Sequence, residues 1–341
     1  MNLLRKILFP FAILYGFVTR IRNFLFDKGI LKSYSFDIPI IAVGNLSVGG
    51  TGKTPQIEYL IRLLSPKYKV ATLSRGYKRK SKGFVLANST SNAEILGDEP
   101  FQFYSKFKNI EVAVDADRKN GIDQLLSQKV KPDVILLDDA YQHRKVKAGF
   151  YILLSSFGDL YSDDFMLPTG NLREGRSGVK RANVIIITKC PASLSFEEQN
   201  KIRYKLKLEK NQDLYFSSID YDDFVYAEEK KISVTEIKQE ALLLLAGIAK
   251  PEPFFEYLKN SNNETMIFPD HHHFDKKDLI EIADKAKNKI IITTEKDYVR
   301  LKYSIVKNQL FYLPIQCSML SKSSIFDKII LDYVEKSSKK V

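Results

Sequence analysis

Short apolar runs alternate with helical patterns along most of the chain. Residues 38–45, IPIIAVGN, form a β-branched run that ends near a glycine, which is typical of a buried strand. The segment TPQIEYLIRLLSP follows with an apolar residue every three or four positions, which is typical of a helix. Further apolar runs are predicted as strands at 69–77, 133–140, 183–190, 241–249 and 289–297. Strands that alternate with helices predict an α/β fold, in which a parallel sheet is flanked by helices on both faces.

The pattern changes between residues 195 and 240. A charged stretch, FEEQNKIRYKLKLEKNQ, is followed by DLYFSSIDYDDFVYAEEKKISV, in which polar and aromatic residues alternate. Such alternation indicates one or two antiparallel strands. We therefore predict a core at residues 35–205, a linker with antiparallel strands at 206–240, and a second, smaller α/β domain at 241–341.

Residues 1–34 are rich in apolar and aromatic side chains. An uncharged run extends from Ile7 to Thr19, with Lys6 before it and Arg20 and Arg22 after it. As a helix this run covers about 20 Å, at ~1.5 Å per residue, which is short of a hydrocarbon core of ~30 Å. No small-residue cleavage site follows, so a secretory signal peptide is not expected. The pattern favours a helix that lies in the membrane interface with its basic residues on anionic headgroups. The alternative is a terminal helix packed on the protein's own core.

Composition and charge narrow the class of protein. The chain has 341 residues, of which 44% are hydrophobic, and this suits a globular protein of about two domains. Its formal net charge of +12 indicates anionic partners: phosphorylated ligands, an acidic membrane surface or nucleic acid. We find no nucleic-acid-binding motif, so nucleic acid is not expected as a partner. Two cysteines, Cys190 and Cys317, are too few for a disulfide framework, and a reducing cytoplasm is expected.

A glycine-rich stretch, GNLSVGGTGKTP, lies between the first predicted strand of the core and the helix that follows. The nucleotide-binding P-loop reads G-x-x-x-x-G-K-[ST] in this context. Ser47 stands where the first glycine of that motif is expected. This departure matters little, because the phosphate-binding amides come mainly from the residues that follow. An ordinary glycine turn is the alternative.

The chemistry of a P-loop predicts a role for each part of this stretch. Glycines permit a backbone in which successive N–H groups point into one concavity, and the next helix adds its positive N-terminal end. Lys53 is expected on the β- and γ-phosphates and Thr54 on Mg²⁺, while Pro55 fits a first helical turn that needs no donor. The loop residues predicted to bind the nucleotide are Ser47, Val48, Gly49, Gly50, Thr51, Gly52, Lys53 and Thr54.

A P-loop also requires an acidic strand end near the metal. In PDVILLDDAYQH, the apolar run 134–137 leads directly into Asp138 and Asp139. Two adjacent acids with no basic neighbour before His143 and Arg144 favour a divalent-metal site, here for Mg²⁺. Solvated acids in a turn are the alternative.

The identity of the base is predicted from a missing motif. Guanine-specific proteins carry an N-K-x-D segment after a strand, whereas the predicted strand at 183–190 ends in TKCP. Adenine is therefore favoured, and ATP is the expected nucleotide.

Nine segments together resemble one family. They are GNLSVGGTGKTP, LSRGYKRK, GDEP (97–100), DADR (115–118), DDAYQH (138–143), LPTGNLREG (167–175), AGIAKPEPFF (246–255), FPDHHHF (268–274) and TTEKDYVR (293–300). Their combination resembles the tetraacyldisaccharide 4′-kinases, the lipid A 4′-kinases of Gram-negative bacteria. The acid-acid motif of that family normally continues with glycine, whereas this chain has Ala140.

The resemblance implies a P-loop kinase core and a lipid substrate. The expected reaction is phosphoryl transfer from MgATP to the 4′-hydroxyl of a lipid A disaccharide 1-phosphate, in lipid A biosynthesis. That substrate is an anionic membrane lipid, which agrees with the basic charge and the apolar N-terminus. The expected location is the cytoplasmic face of the inner membrane, as a peripheral or monotopic protein.

The resemblance also implies a catalytic pair. Asp98 of GDEP is expected to accept the proton of the sugar hydroxyl, assisted by His271 of the DH motif. From the residues alone, Asp98 could equally cap a helix that begins in GDEPFQFY. Likewise the histidine run 271–273 could be a surface cluster or a transition-metal site.

The remaining predicted site residues are polar and follow from the same resemblance. Arg173 is expected to stabilise charge near the phosphates, and Glu174 to serve the metal together with Thr54, Asp138 and Asp139. The residues predicted to bind the sugar head or its 1-phosphate are Arg118, Gln142 and His143. Arg75, in a basic loop with Lys78, Arg79 and Lys80, is predicted to meet lipid phosphates; the alternative is that this loop only solubilises the surface.

Two other classes of function are open at this stage. A P-loop ATPase or GTPase acting as a switch or metallochaperone would explain the loop, the paired acids and the histidines, but not the apolar N-terminus. A membrane-bound nucleotide-binding module without enzymatic activity would leave the acid and histidine of the predicted pair without a role.

Overall fold

The computed structural model describes residues 5, 7–228, 230–270, 272–302, 304–305 and 309–339. In this part of the chain, two sheets organise the fold. Their strands are β1 (Ile40–Asn45), β2 (Val70–Ser74), β3 (Val85–Leu86), β4 (Glu111–Val114), β5 (Val134–Asp138), β6 (Phe150–Ser156), β7 (Val184–Thr188), β8 (Asp213–Tyr221), β9 (Phe224–Tyr226), β10 (Lys231–Ser233), β11 (Leu242–Ala246), β12 (Asn263–Ile267), β13 (Ile290–Thr294), β14 (Leu310–Leu313) and β15 (Ile315–Met319).

Helices cover the faces of both sheets. The α-helices are α1 (Phe9–Asp27), α2 (Lys53–Leu64), α3 (Ala93–Leu96), α4 (Asp98–Lys106), α5 (Arg118–Leu126), α6 (Phe196–Leu206), α7 (Val234–Ile237), α8 (Glu252–Leu258), α9 (Lys276–Lys285), α10 (Glu295–Leu301) and α11 (Ser323–Ser338). A 3₁₀ helix spans Arg176–Arg181.

The first sheet has the strand order β15-β8-β7-β6-β1-β5-β2-β4-β3. Its central strands are parallel, and Val43 of β1 lies opposite Asp138 of β5. Alternate side chains of β1 enter different cores: Ile41 and Val43 pack with α2, whereas Ile40 and Ala42 pack with α5. Burial on both faces explains why these strands are continuously apolar. The predicted parallel sheet flanked by helices is confirmed.

The second sheet has the order β10-β9-β14-β13-β11-β12. Strands β11 to β14 pair in parallel, and β9 and β10 form an antiparallel pair at one edge. Its cores are built from the apolar runs 242–246 and 290–292 with α8 and α9. This arrangement agrees with a second, smaller α/β unit.

The end of the chain returns to the first sheet. Strand β15 pairs antiparallel with β8, and β8 pairs parallel with β7, so both belong to the first sheet rather than to a linker or second domain. Helix α11 inserts Phe326, Ile330 and Val334 into the core under α2. The predicted ranges 206–240 and 241–341 therefore each contain elements of the first sheet, because apolar patterns do not specify which of two sheets an element joins.

Helix α1 directs polar side chains toward the protein and apolar side chains away from it. One of its residues, Ala12, is buried. The alternative of a helix whose apolar face packs on the core does not match the exposed apolar residues of this helix, which are Phe9, Phe11, Ile13, Leu14, Phe17, Val18, Ile21 and Phe24. Over the described ranges, no helix combines the length and the apolarity that crossing a bilayer requires.

Candidate active site

The glycine-rich stretch forms a loop between the end of β1 and the start of α2. Gly49 has φ +106° and Gly52 has φ +81°, backbone conformations that favour glycine. Gly52 also caps α2, so the helix begins where the chain leaves the loop. The predicted strand, glycine loop and helix are all present.

The loop leaves several amides pointing away from backbone partners. The N–H groups of Val48 and Thr51 donate to the carbonyls of Asn171 and Gly49, at 2.8 and 3.0 Å. Within the described residues, no backbone acceptor outside the loop's own helix meets the N–H groups of Gly49, Gly50, Gly52, Lys53 and Thr54. The Val48 and Thr51 amides are therefore engaged within the protein, and the other five amides are available to a phosphate.

A second segment, residues 171–174, braces the loop from one side; we call it the strap. Ser47 and Leu172 form an antiparallel bridge. The Arg173 N–H donates to the Leu46 carbonyl at 2.7 Å, beside the Asn171–Val48 hydrogen bond. On the other side, the Thr188 hydroxyl at the end of β7 donates to the Thr51 carbonyl at 2.8 Å. The loop is therefore held at both flanks.

Two cations converge on Asp139. Arg173 donates to both oxygens of this carboxylate, at 3.0 and 2.8 Å, and the Lys53 ammonium lies 3.6 Å from it. Burial opposes the negative charge, but Lys53 and Arg173 outweigh it and lower the pKa of Asp139 to about 2. Asn45, fully buried at the end of β1, accepts from both cations through Oδ1. Lys53, Arg173 and Asp139 thus lie together beside the loop.

Asp138 lies at the carboxyl end of β5 in a different environment. Its Oδ2 accepts from the Ser74 hydroxyl at 3.2 Å. Its Oδ1 is buried and has no hydrogen-bond partner among the described residues. Burial, and then the neighbouring charge of Asp139, raise the pKa of Asp138 to about 6. A buried carboxylate oxygen without a partner fits a cation ligand.

The backbone at Asp139 and Ala140 shows whether alanine fits at the position where the family normally has glycine. Asp139 has φ +46°, a conformation that aspartate tolerates, whereas Ala140 is not among the residues with positive φ in the described part of the chain. Ala140 is buried in the core that includes α5. An alanine therefore needs no glycine-specific conformation at this position.

Glu174 has other partners than a metal. Its Oε1 accepts from Gln142 and Arg181, each at 2.8 Å, and its Oε2 accepts from Asn23 and Arg181, each at 2.9 Å. A carboxylate offers about four lone-pair positions, so these four hydrogen bonds occupy it. These four contacts favour a structural role for Glu174 over the metal role that the resemblance implied.

The predicted substrate residues divide into inward and accessible groups. Arg118 is 2% exposed and donates to the carbonyls of Asp115 and Asp138, so it supports the end of β5 instead of reaching a lipid headgroup. Arg75 is exposed, and the described residues give it no hydrogen bond or ion pair.

Gln142 and His143 lie close to the ends of β1 and β5. Gln142 donates to the Asn45 carbonyl at 2.9 Å. Burial, and then Arg118, lower the pKa of His143 to about 4, so its imidazole is neutral near pH 7.

The carboxylate of Asp98 faces the second sheet. Asp98 begins α4, but the helix is capped by Gly97 without a side-chain hydrogen bond, so Asp98 is not a helix cap. Arg300 of α10 donates to both Asp98 oxygens, through Nε at 3.0 Å and through Nη2. His271 lies outside the described residues. The next histidine, His272, bonds to Asp278 at 2.7 Å, and the described residues contain no metal-binding group of three or more His, Cys, Asp or Glu.

Four residues of this site were not predicted from the sequence. Asn45 and Arg300 belong to segments that carry the family resemblance but were given no role of their own, and Asn23 and Arg181 were given none either. Asn45 had one usable signal, since a buried amide at the end of a P-loop strand is unusual among apolar neighbours. The partners of Asn23 and Arg300 lie 151 and 202 residues away, so no local pattern could reveal them.

These features define a class of protein, the P-loop nucleotide-binding proteins. The glycine loop has available amides, Lys53 and Arg173 lie beside it, and the apolar strand β5 ends in an acidic residue next to it.

Residues 4–335 match the family model described as tetraacyldisaccharide-1-P 4′-kinase. The chain belongs to this family. Its sequence is 70% identical over 337 residues to the tetraacyldisaccharide 4′-kinase of Flavobacterium johnsoniae, covering 99% of each chain. It is 42% identical to that of Bacteroides thetaiotaomicron, covering 98% of this chain and 95% of the relative.

A solved structure agrees with this assignment. The apo form of LpxK from Aquifex aeolicus, crystallised in complex with ATP, is 30% identical and superposes with a TM-score of 0.78, covering 97% of this chain and all of that one. The protein is accordingly a kinase, a transferase of lipid A biosynthesis. These relatives give no support to the alternative of a switch or metallochaperone.

Proposed function

We propose that this lipid A 4′-kinase binds ATP with Mg²⁺ in the loop between β1 and α2, and passes the γ-phosphate to the 4′-hydroxyl of a lipid A disaccharide 1-phosphate. The observation that carries the proposal is the pairing of two features at one sheet edge. The loop offers the amides of Gly49, Gly50, Gly52, Lys53 and Thr54, which have no backbone acceptor outside α2 among the described residues. Beside it, Asp138 offers a buried carboxylate oxygen without a partner.

The triphosphate is held by charge and by backbone. The amides of the loop and the N-terminal end of α2 receive the phosphate oxygens. Lys53 and Arg173 neutralise the β- and γ-phosphates, and both already lie together at Asp139. Asp139 keeps the two cations at the loop, and the nucleotide then competes with it for them.

The residues fit Mg²⁺ held jointly by protein and nucleotide. Mg²⁺ is usually bound through one or two carboxylates plus substrate phosphates. Asp138 Oδ1 and the Thr54 hydroxyl are the ligands we assign, with Asp139 as their charged neighbour. Bound Mg²⁺ supplies neutralisation of the charge that develops on the phosphates. Asp138 has to be ionised for this role, so Mg²⁺ competes with a proton for its carboxylate, and Mg²⁺ binding should weaken as the pH falls through about 6.

Asp98 is the proton acceptor in this proposal. The bond from the sugar oxygen to the γ-phosphorus forms as the bond from phosphorus to the β–γ bridging oxygen breaks, and ADP leaves. The hydroxyl proton passes to the Asp98 carboxylate, with His271 assisting as the family resemblance implies. Arg300 orients the carboxylate through two hydrogen bonds. Arg75, Gln142 and His143 remain as candidates for the sugar head and its 1-phosphate.

The apolar face of α1 supports a location at a membrane surface. Soluble proteins rarely expose contiguous apolar patches of this kind, and such patches mark interaction sites. With Arg20 and Arg22 beside it, the helix suits an anionic bilayer interface. We propose peripheral or monotopic attachment to the cytoplasmic face of the inner membrane.

A transfer assay tests the proposed function. The protein is incubated with γ-phosphate-labelled ATP, Mg²⁺ and a lipid A disaccharide 1-phosphate, and the lipid is separated by chromatography. We expect label in the lipid, and none when the acceptor is a 4′-deoxy analogue. Label released as inorganic phosphate at a rate independent of the lipid would contradict the proposal.

A further inference from the structure

Helix α1 touches the phosphate-binding loop through the strap. The Tyr15 hydroxyl donates to the Arg173 carbonyl at 2.9 Å, and Arg5, which precedes α1, donates to Asn171 Oδ1 at 3.1 Å. Asn23 Nδ2 donates to Glu174 Oε2 at 2.9 Å. Because residues 171–173 are hydrogen-bonded to Leu46–Val48, the strap links these contacts of α1 to the loop.

The Asn23–Glu174 contact is the buried one of these three. Glu174 is 3% exposed, and Asn23 supplies one of its four hydrogen bonds. Gln142, which supplies another, also donates to the Asn45 carbonyl at the end of β1. Removing one partner of a buried charge leaves that charge incompletely satisfied, which is strongly unfavourable. Glu174 therefore joins α1, the strap and the strand that leads into the loop.

Further contacts fix α1 in register. Arg22 donates to the Gln142 carbonyl at 3.2 Å, and Arg144 donates to the Asn23 carbonyl and to Asp27, at 2.9 and 2.7 Å. The apolar side chains point the other way, into the surface that we assign to the bilayer. A rotation or shift of α1 would therefore break these polar contacts or displace the strap.

We infer that Asn23 and Glu174 are positioning residues, which fix α1 on the strap and thereby hold the loop amides in place for the triphosphate. The inference rests on the proposed function, since it concerns the same nucleotide site. It makes α1 part of that site as well as an anchor. The coupling needs a second state, in which α1 leaves the strap and the loop loses its support. A surface that binds α1 in the orientation described here disfavours that state and so strengthens nucleotide binding, and nucleotide strengthens binding to the surface by the same factor.

Measuring whether vesicles and nucleotide strengthen each other's binding distinguishes a positioning role of α1 from a purely structural one. In the full-length wild-type protein, the dissociation constant of a fluorescent ATP analogue is measured with vesicles of phosphatidylglycerol and phosphatidylethanolamine, and with neutral phosphatidylcholine vesicles. Sedimentation with the anionic vesicles is measured with and without the nucleotide. We expect each ligand to tighten the other by about fivefold, at the lower end of usual coupling strengths. Equal affinities in all arms would overturn the inference, and this arm depends on no variant.

Variants of α1 then locate the coupling. Asn23→Ala removes one hydrogen bond to a buried charge and should weaken nucleotide binding by about tenfold. Asn23→Asp sets two carboxylates together and should weaken it further. Thr19→Ala is the matched control, because the Thr19 hydroxyl bonds to Gly16 of its own helix, and its affinity should be unchanged.

Lys53→Ala separates failure of this inference from failure of the proposed function. If Lys53→Ala loses nucleotide binding while Asn23→Ala retains wild-type affinity, the inference is wrong and the nucleotide site stands. If Lys53→Ala still binds the nucleotide, the proposed site itself is wrong. A tenfold loss in Asn23→Ala at unchanged circular dichroism supports the inference.

Discussion

Asp138 and Asp139 are neighbours, yet the structure predicts opposite effects of Asp→Asn substitution on stability. Burial, with the charge of Asp139, raises the pKa of Asp138 from 3.8 to about 6. At ~1.36 kcal/mol per pH unit, ionised Asp138 costs the fold about 3 kcal/mol. Asp138→Asn removes this cost, so we expect the free energy of unfolding near pH 7.5 to rise by up to about 3 kcal/mol. For 341 residues this corresponds to a Tm increase of about 4 °C.

The pH dependence fixes the sign of this prediction. The folded pKa of Asp138 lies above its unfolded value, so its cost is absent below about pH 4, grows between about pH 4 and 6, and is complete above that range. The stabilisation by Asp138→Asn should therefore shrink as the pH falls from about 6 to 4. Mg²⁺ should raise the Tm of the wild type more than that of the variant, because the variant lacks the proposed ligand.

Asp139→Asn is the matched control. Its pKa is lowered to about 2 because Lys53 and Arg173 outweigh burial, so the ionised side chain stabilises the fold. The side chain is 37% exposed, and after screening by solvent we expect a loss of about 1 kcal/mol. Asparagine tolerates the φ of +46° at this position. Thermal unfolding followed by circular dichroism measures both variants. A loss of stability in Asp138→Asn near pH 7.5, or the same sign for both variants, would refute the reasoning.

Three further predictions concern activity, and a fourth concerns membrane binding. Lys53→Ala should fold normally and lose most ATP turnover, because it removes the ammonium that lies at Asp139; an unchanged kinase rate would count against the site. Asp98→Asn should lower kcat far more than it weakens ATP binding, since the proton acceptor alone is lost; parallel losses in rate and ATP affinity would argue for a different role. Arg300→Ala should lower kcat by about tenfold or more with little change in KM for ATP, and Arg300→Lys should recover part of it; no recovery would speak against orientation by charge. Deleting residues 1–28 should weaken co-sedimentation with anionic liposomes, and undiminished sedimentation would remove the membrane proposal.

The parts of the fold that local pattern determines were predictable. Strand β1, the glycine loop and α2 follow one another without interruption, and each has its own signal in period, glycine content or capping. The acids after β5 could be placed beside the loop because the carboxyl ends of parallel strands share one edge. Arg173 was expected near the phosphates only because of the family resemblance.

The orientation of individual polar side chains was not predictable. Arg118 and Glu174 were expected to face ligands, but Arg118 is buried on the carbonyls of Asp115 and Asp138, and Glu174 is buried against Asn23, 151 residues away in the chain. The sequence pattern around an arginine in the first turn of a helix, such as Arg118, is the same whether its side chain points to solvent or to the carbonyl of Asp138. The return of β15 and α11 to the first sheet depends likewise on contacts such as Cys317 with Gln56, 261 residues apart. Sequence periodicity carries no information on such pairings.

The position of the divalent cation tests the central claim most directly. Crystals grown with an ATP analogue and Mn²⁺ would locate the ion by its anomalous scattering. We predict one peak in contact with Asp138 Oδ1 and the Thr54 hydroxyl, with phosphate oxygens on the amides of Gly49 to Thr54. A peak bound to Glu174, or phosphates away from these amides, would contradict the account.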